Sequence, residues 1–380
     1  MKALSPYKEA VEVLKEAGGE ISELCYQCGL CTGSCPWNLV RSFLVRRIMH
    51  ESQLGLVDFE SDDVWLCATC GMCVERCPRG VEIIDVMRAL RRTVVGLGVG
   101  AVPDSLRLAT NSMASAGNPW GEPREQRGDW AGALNVKPFA EGTEVLYFPC
   151  CLVEYDTSIR PIGQAMARVF QGLGVDFGVL GAEEENCCGE SARKVGNEEL
   201  FQELVSRNTK SFAEKGVRKI VVSSPHCYYT FKNEYPQNGI EVVHSTQFLA
   251  EQLREGKLKF SKEVNRKVAY HDPCYLGRHS GVYDEPREVL SSIPGLELVE
   301  MADNRENSLC CGGGGGRVWM ETPAEERFGD IRIEQAREVG ANVLAAACPY
   351  CRLMFETSAA TPTGEPVEFK DVSELVAEAM

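Results

Sequence analysis

Residues 144–151 read EVLYFPCC and residues 267–274 read KVAYHDPC, two apolar runs that each end in cysteine. Cys151 and Cys274 are 123 positions apart, as are Cys188 and Cys311, while Cys227 and Cys348 are 121 apart. Self-similarity at a fixed offset marks an internal repeat. In each copy the opening run precedes a helical pattern, a short strand, a Cys-Cys-Gly, a second helix and a strand ending at cysteine. Those closing strands are KIVVSSPHC (219–227) and NVLAAACPYC (342–351). Strands alternating with helices predict parallel α/β units. Their cysteines then fall at the carboxyl ends of strands, where open α/β sheets place ligands. Two copies facing each other would create a site between them.

Upstream, residues 25–36 read CYQCGLCTGSCP and residues 67–78 read CATCGMCVERCP. Each is C-x2-C-x2-C-x3-C-P, the bacterial ferredoxin run, in which the fourth cysteine ligates the other cluster of a two-cluster protein. One cubane [4Fe–4S] cluster is therefore assigned to Cys25, Cys28, Cys31 and Cys77, and the other to Cys67, Cys70, Cys73 and Cys35. Zinc prefers paired knuckles separated by a longer loop, so four thiolates within eleven residues argue against it. Helical spacing in LVRRIMHESQLGLVDF (44–59) and IIDVMRALRRTVVGLG (83–98) makes this an α-helical ferredoxin domain. Arg76 and Arg79 border the second run and could offset its anionic thiolates, though solvated surface is an equally good reading.

The expected organisation is an α+β multidomain chain. Residues 1–97 form the two-cluster ferredoxin domain and 98–142 a connecting segment, rich in Gly, Pro and Asn, that packs through Trp120, Trp130 and Phe139. Residues 143–265 and 266–380 are the two α/β repeats. The formal net charge of −15 opposes binding to nucleic acid or anionic lipid. Neither a secretory signal nor an apolar run long enough to span a bilayer is present, so direct membrane insertion is not expected. Eighteen cysteines in spaced groups, on a long chain with an ample core, favour metal or redox chemistry in the cytoplasm over a secreted disulfide scaffold.

The second repeat offers Cys274, Cys310, Cys311, Cys348 and Cys351. Soft thiolates select iron–sulfur clusters, copper(I) or zinc, and an adjacent pair poorly chelates one tetrahedral metal, which favours a multinuclear cluster. A duplicated C-x(n)-CCG-x(n)-C-x2-C resembles the CCG (cysteine-rich) domain of the HdrB component of heterodisulfide reductase. The stretch CYQCGLCTGSCPWN…VWLCATCGMCVERCPRGVEIIDV is similar to the HdrC component of that enzyme. Both on one chain resemble the fused HdrD-type polypeptide and its DsrK-like relatives in sulfur metabolism. The resemblance implies two cubanes plus a noncubane [4Fe–4S] cluster held by those five cysteines, at which a disulfide is reduced. The first repeat departs from the pattern: Cys151, Cys187, Cys188 and Cys227 align, but Thr230 stands at the last position, and Cys150 replaces a usual glycine. An empty site, a rearranged cluster recruiting Cys150, and a smaller cluster all stay open.

Gly312–Gly316 lacks the Lys-Ser/Thr of a P-loop, so close backbone approach to a cluster is the better reading. His271, Arg278 and His279 flank Cys274, and His226 precedes Cys227; each could serve a substrate or merely shape a loop. The leading functional expectation is the catalytic component of a disulfide or related sulfur reductase, with no flavin motif of its own. The alternative is a non-catalytic component relaying electrons between a flavoprotein dehydrogenase and a quinone or other carrier, as in similar CCG proteins. Either role implies a multi-subunit complex, with a membrane cytochrome b or a flavin-containing partner. Membrane association would then arise through that partner.

Overall fold

The computed structural model describes residues 5–359 and 364–380. Two four-stranded, all-parallel sheets carry the repeats. The first has order β2-β1-β3-β4, from β1 (Val145–Phe148), β2 (Phe177–Gly178), β3 (Lys219–Val222) and β4 (Glu241–His244). The second has the matching order β6-β5-β7-β8, from β5 (Arg266–His271), β6 (Leu296–Val299), β7 (Val343–Ala346) and β8 (Glu368–Asp371). In β1 (VLYF) and β7 (VLAA) every residue is buried. Helices cover both faces of such strands, so the apolar pattern is continuous rather than alternating. In each sheet the chain reverses its direction of travel between the first and third strands. Ligands of open α/β sheets gather outside the strand ends at such a switch point, and Cys151 and Cys227, or Cys274 and Cys348, follow those two strands.

Four helices lie between the repeats and exchange partners. Arg160–Leu173 of the first repeat packs on Val372–Ala379 of the second, and Ser245–Arg254 packs on Asp284–Ser292. A Cβ added at Gly172 would come within 2.7 Å of Met380 Cε, and Ser373 Oγ donates to Ile162 O at 3.4 Å. The reciprocal pairing gives the repeats a pseudo-twofold relation.

The N-terminal part is helical, as the apolar spacing predicts: Val45–Leu54 and Ile83–Leu97 bury Ile48, Met49, Val86, Met87 and Leu90. Between this part and the first repeat the structure differs from a plain connection. Asp104–Ala116 is a helix that starts behind Pro103, buries Leu106, Ala109, Thr110 and Met113, and stops at Gly117. Its i, i+3, i+4, i+7 spacing is that of an amphipathic helix, masked in the sequence by the Gly- and Pro-rich stretch beside it. Trp130 and Phe139 are buried, and Trp120 packs edge-on against Trp319 of the second repeat, at 4.7 Å between ring centroids.

Arg91 joins three parts of the molecule. Wholly buried, it donates to Val64 O and Cys67 O of the N-terminal part, to Lys194 O of the first repeat and to Gly315 O of the second. Beside it the glycine loop of the second repeat lies flat on residues 67–69: a Cβ at Gly314 would sit 2.3 Å from Ala68 O, and one at Gly315 2.4 Å from Cys67 O. Replacing Arg91 with leucine strands four carbonyls and is expected to cost about 3 kcal/mol, read as a lower melting temperature of the full chain. Gly314→Ala, which adds one methyl where no room exists, is expected to cost about 1–3 kcal/mol by the same measurement.

Candidate iron–sulfur sites

All eighteen cysteines are free of disulfide bonds. In the N-terminal part the two runs fold alike. Gln27 and Thr69, at the same place in each run, have left-handed φ (+65° and +47°), as do Gly29 and Gly71 (+88° and +81°). These reversals curl each C-x2-C-x2-C segment on itself. Backbone amides then point at thiols: Gln27 N–H donates to Cys25 Sγ and Thr69 N–H to Cys67 Sγ, both at 3.4 Å. An apolar hollow is lined by Cys35, Cys67, Cys70 and Cys73 with Trp37, Phe43 and Met87, so the last cysteine of the first run sits with the first three of the second. Cys28 and Cys77 both lie near Tyr26. Burial pushes the Cys35 and Cys73 thiols upward, and neighbouring cysteines add to the shift. Such a crowd of buried thiols favours metal as their counter-charge. Cys28 is the one exposed cysteine.

In the second repeat, Cys274 follows β5, Cys310 and Cys311 sit in the loop before the glycines, and Cys348 and Cys351 open the helix Pro349–Ala359. The five are between 1% and 6% exposed. Cys351 and Cys311 sulfurs are 3.3 Å apart, Cys310 contacts Cys274 and Cys311, and Gly312 N–H donates to Cys310 Sγ at 3.2 Å. Hydrogen bonds to Cys310 and Cys351, against burial and with help from His271, hold Cys311 well below the ordinary thiol range. Cys310 also lies beside Cys70. The five-thiol group of the second repeat and the Cys67–Cys73 group of the N-terminal part thus share a wall.

Residues around this junction divide into ties and neighbours. Arg278 Nε donates to Cys70 O at 2.8 Å and its Nη1 to Ser308 O at 2.6 Å. Its Nη2 is buried without a partner, while burial of its charge is opposed by the thiols of Cys70, Cys274 and Cys310. A spare cationic donor beside these three sulfurs fits a sulfide-bearing cluster. His279 is spent on Thr69 O at 2.8 Å. His271 receives a hydrogen bond from Arg332 Nε on Nδ1 at 3.2 Å and hydrogen-bonds Cys311, which is buttressing rather than a free proton donor. Arg76 reaches across to Asn307 of the second repeat, and the glycine loop serves the docking of the N-terminal part as well as Cys310.

His226 has a larger place than its position beside Cys227 suggests. Its ring is stacked between Tyr350 and Tyr275, at 4.2 and 4.1 Å, and Tyr275 stacks on His279 at 4.3 Å. A histidine of the first repeat is thereby sandwiched by two tyrosines of the second. Burial opposes its charge, but Glu190 at 3.0 Å and a hydrogen bond to Cys348 raise its pKa to about 10. Burial likewise opposes a thiolate at Cys348, and hydrogen bonds to Cys351 and His226, with the His226 charge, bring that thiol down to about 6. Glu190, Tyr275 and Tyr350 are not marked by the cysteine spacing, since that spacing specifies only the thiols and not the residues beside or between them. Only their nearness to the cysteines could have drawn notice.

In the first repeat, Cys150, Cys151, Cys187, Cys188 and Cys227 are also all buried, and each lies beside at least one other of the five. Thr230, one helical turn beyond Cys227, is fully buried with its hydroxyl unpartnered.

Comparison with known proteins agrees with this anatomy. The family model for a 4Fe-4S dicluster domain matches residues 24–82, and that for a cysteine-rich domain matches twice, at 145–232 and 268–356. The HdrD polypeptide of the dihydromethanophenazine:CoB–CoM heterodisulfide reductase of Methanosarcina barkeri is 34% identical, over 94% of both chains. The probable iron–sulfur-binding oxidoreductase FadF of Bacillus subtilis is 38% identical and the EtfAB:quinone oxidoreductase of Syntrophomonas wolfei 39%, each over 84% of this chain and 47% of the relative. The chain thus spans about half the length of those two relatives. Among the described residues no helix is long and apolar enough to cross a membrane. With a dicluster region joined to a duplicated cysteine-rich domain, and near-complete alignment to a heterodisulfide reductase polypeptide, the chain belongs to the HdrD-type family of CCG-domain iron–sulfur oxidoreductases.

Proposed function

We propose that the chain is the iron–sulfur catalytic subunit of a heterodisulfide reductase-like complex. Cys25, Cys28, Cys31 and Cys77, and Cys67, Cys70, Cys73 and Cys35, would hold two cubane [4Fe–4S] clusters. Cys274, Cys310, Cys311, Cys348 and Cys351 would hold a noncubane [4Fe–4S] cluster serving a disulfide or related sulfur substrate. When bound, such clusters supply one-electron carriers, and a disulfide takes up two electrons on reduction. The observation that carries the reading is the contact of Cys70 with Cys310, which leaves no protein layer between the dicluster part and a complete five-thiol set.

The protein's own groups suit that task. Gly312 N–H, His226 and His271 each bond a different cysteine of the set and fix its orientation. Burial of all five thiols keeps water from them. A cavity of about 440 Å³ is lined by Gly71, Glu75, Asp85, Lys194, Arg278 and His279 among others; Gly71 follows Cys70, and Arg278 and His279 lie on the loop that carries Cys274. It supports the approach of a small sulfur compound from that side. Exposed Cys28 marks the end of the dicluster part open to a redox partner, for which a membrane cytochrome b or a flavin-containing subunit is the fitting type. The site of action would be the cytoplasm, with any membrane attachment made through the partner.

A second reading has its own support. The five thiols are closed off from solvent, and two relatives carry names of quinone-linked or iron–sulfur-binding oxidoreductases, which suits a relay between a flavoprotein dehydrogenase and a quinone or other carrier. The two are separated by electron paramagnetic resonance of the anaerobic protein with and without added dithiol. The reductase reading expects a thiol-sensitive signal in the oxidised protein, lost in Cys310→Ser. That variant should also show at least a ~100-fold loss of viologen-driven disulfide reduction, since even outer-sphere changes cost 10–100-fold. No such signal, with rapid transfer to a quinone-linked partner, would favour the relay.

A further inference from the structure

We infer that the first repeat holds a multinuclear iron–sulfur cluster of its own, with Cys150 supplying the fifth thiolate in place of the residue at Thr230. The inference rests on the iron–sulfur reading of the second repeat but concerns a separate set of residues. In the second repeat the thiols form an unbroken series of contacts, Cys274 to Cys310 to Cys311 to Cys351 to Cys348. The first repeat has an unbroken series of the same length. Cys151 lies beside Cys187, Cys187 beside Cys188, Cys188 beside Cys227, and Cys227 beside Cys150, all of them buried. Cys150 thus stands to Cys227 as Cys351 stands to Cys348, and it lies near Cys188 as well.

The fifth thiol arrives by another route. Cys351 stands one helical turn after Cys348; the corresponding place after Cys227 is Thr230, whose buried hydroxyl has no hydrogen-bond partner. Cys150 instead comes from the end of β1. At φ +89° and ψ 144° it leaves the path of the strand, so that it reaches Cys227 while its neighbour Cys151 reaches Cys187. Holding a residue with a Cβ in that region is unfavourable and persists only where the surroundings enforce it. The five thiols are between 2% and 8% exposed, and Arg127 Nη2 lies 3.8 Å from Cys151 Sγ, with its own charge partner in Glu185. Five thiols with an adjacent pair exceed a tetrahedral zinc site and are free of disulfide bonds. What they match, in number and in continuity of contact, is the second repeat.

The test is iron and acid-labile sulfide per chain, with electron paramagnetic resonance, on the anaerobically prepared full chain. Two cubanes and one cluster in each repeat give about 16 Fe, against about 12 with the first repeat empty. Cys150→Ser and Cys188→Ala are each expected to lose about 4 Fe while the signals of the dicluster part and the second repeat persist. Adding Thr230→Cys to Cys150→Ser should restore the iron, which a folding defect would not allow. Iron loss in Cys311→Ala but in neither first-repeat variant overturns this site and leaves the second repeat's reading intact. Loss in none of the three overturns both. Retention in Cys150→Ser with loss in Cys188→Ala overturns the role of Cys150, and stoichiometric zinc in place of the missing iron overturns the cluster.

Discussion

The contact between Cys70 and Cys310 is what the rest of the architecture serves. Two sulfurs from segments 240 residues apart meet only because the glycine loop of the second repeat lies directly on the backbone of residues 67–69. Side chains on that loop would hold the two parts apart. Arg91 then collects the carbonyls that this close packing buries, and Arg278 ties Cys70 to Ser308 from the other side. Buried carbonyls without donors would be costly, so the two guanidinium groups make the dry junction tolerable. Two groups of thiols separated by nothing but their own side chains are the result.

Around this junction the two repeats are alike in topology and unlike in use. Both place cysteines at the switch point of a parallel sheet with the same strand order. Only the second presses against the dicluster part through its Cys-Cys pair. The first contributes His226, held between two tyrosine rings of the second and bonded to Cys348. One repeat therefore furnishes part of the other's surroundings.

Much of this was legible in the order of residues because thiolate chemistry leaves periodic marks. The two ferredoxin runs, the CCG pairs and the repeat spacing of Cys151, Cys188 and Cys227 against Cys274, Cys311 and Cys348 are local or offset patterns. The parallel sheets followed from apolar runs at strand length. What lay hidden depends on contacts between distant segments. The edge strands β4 and β8, EVVH and EFKD, carry too little apolar pattern to stand out. The helix Asp104–Ala116 was concealed by its glycine-rich neighbour. Neither the Cys70–Cys310 meeting nor the Tyr350–His226–Tyr275–His279 column could be read, since no spacing rule relates their members.

The exchanged helices between the repeats have an implication for how the copies depend on each other. Val372–Ala379 closes the second repeat yet rests on the helix that follows β1, and Ser245–Arg254 rests on the helix that follows β5. Each repeat covers its sibling's apolar flank, in the manner of an isologous interface between identical protomers. A single repeat standing alone would leave that flank bare, so each copy depends on the other to bury it.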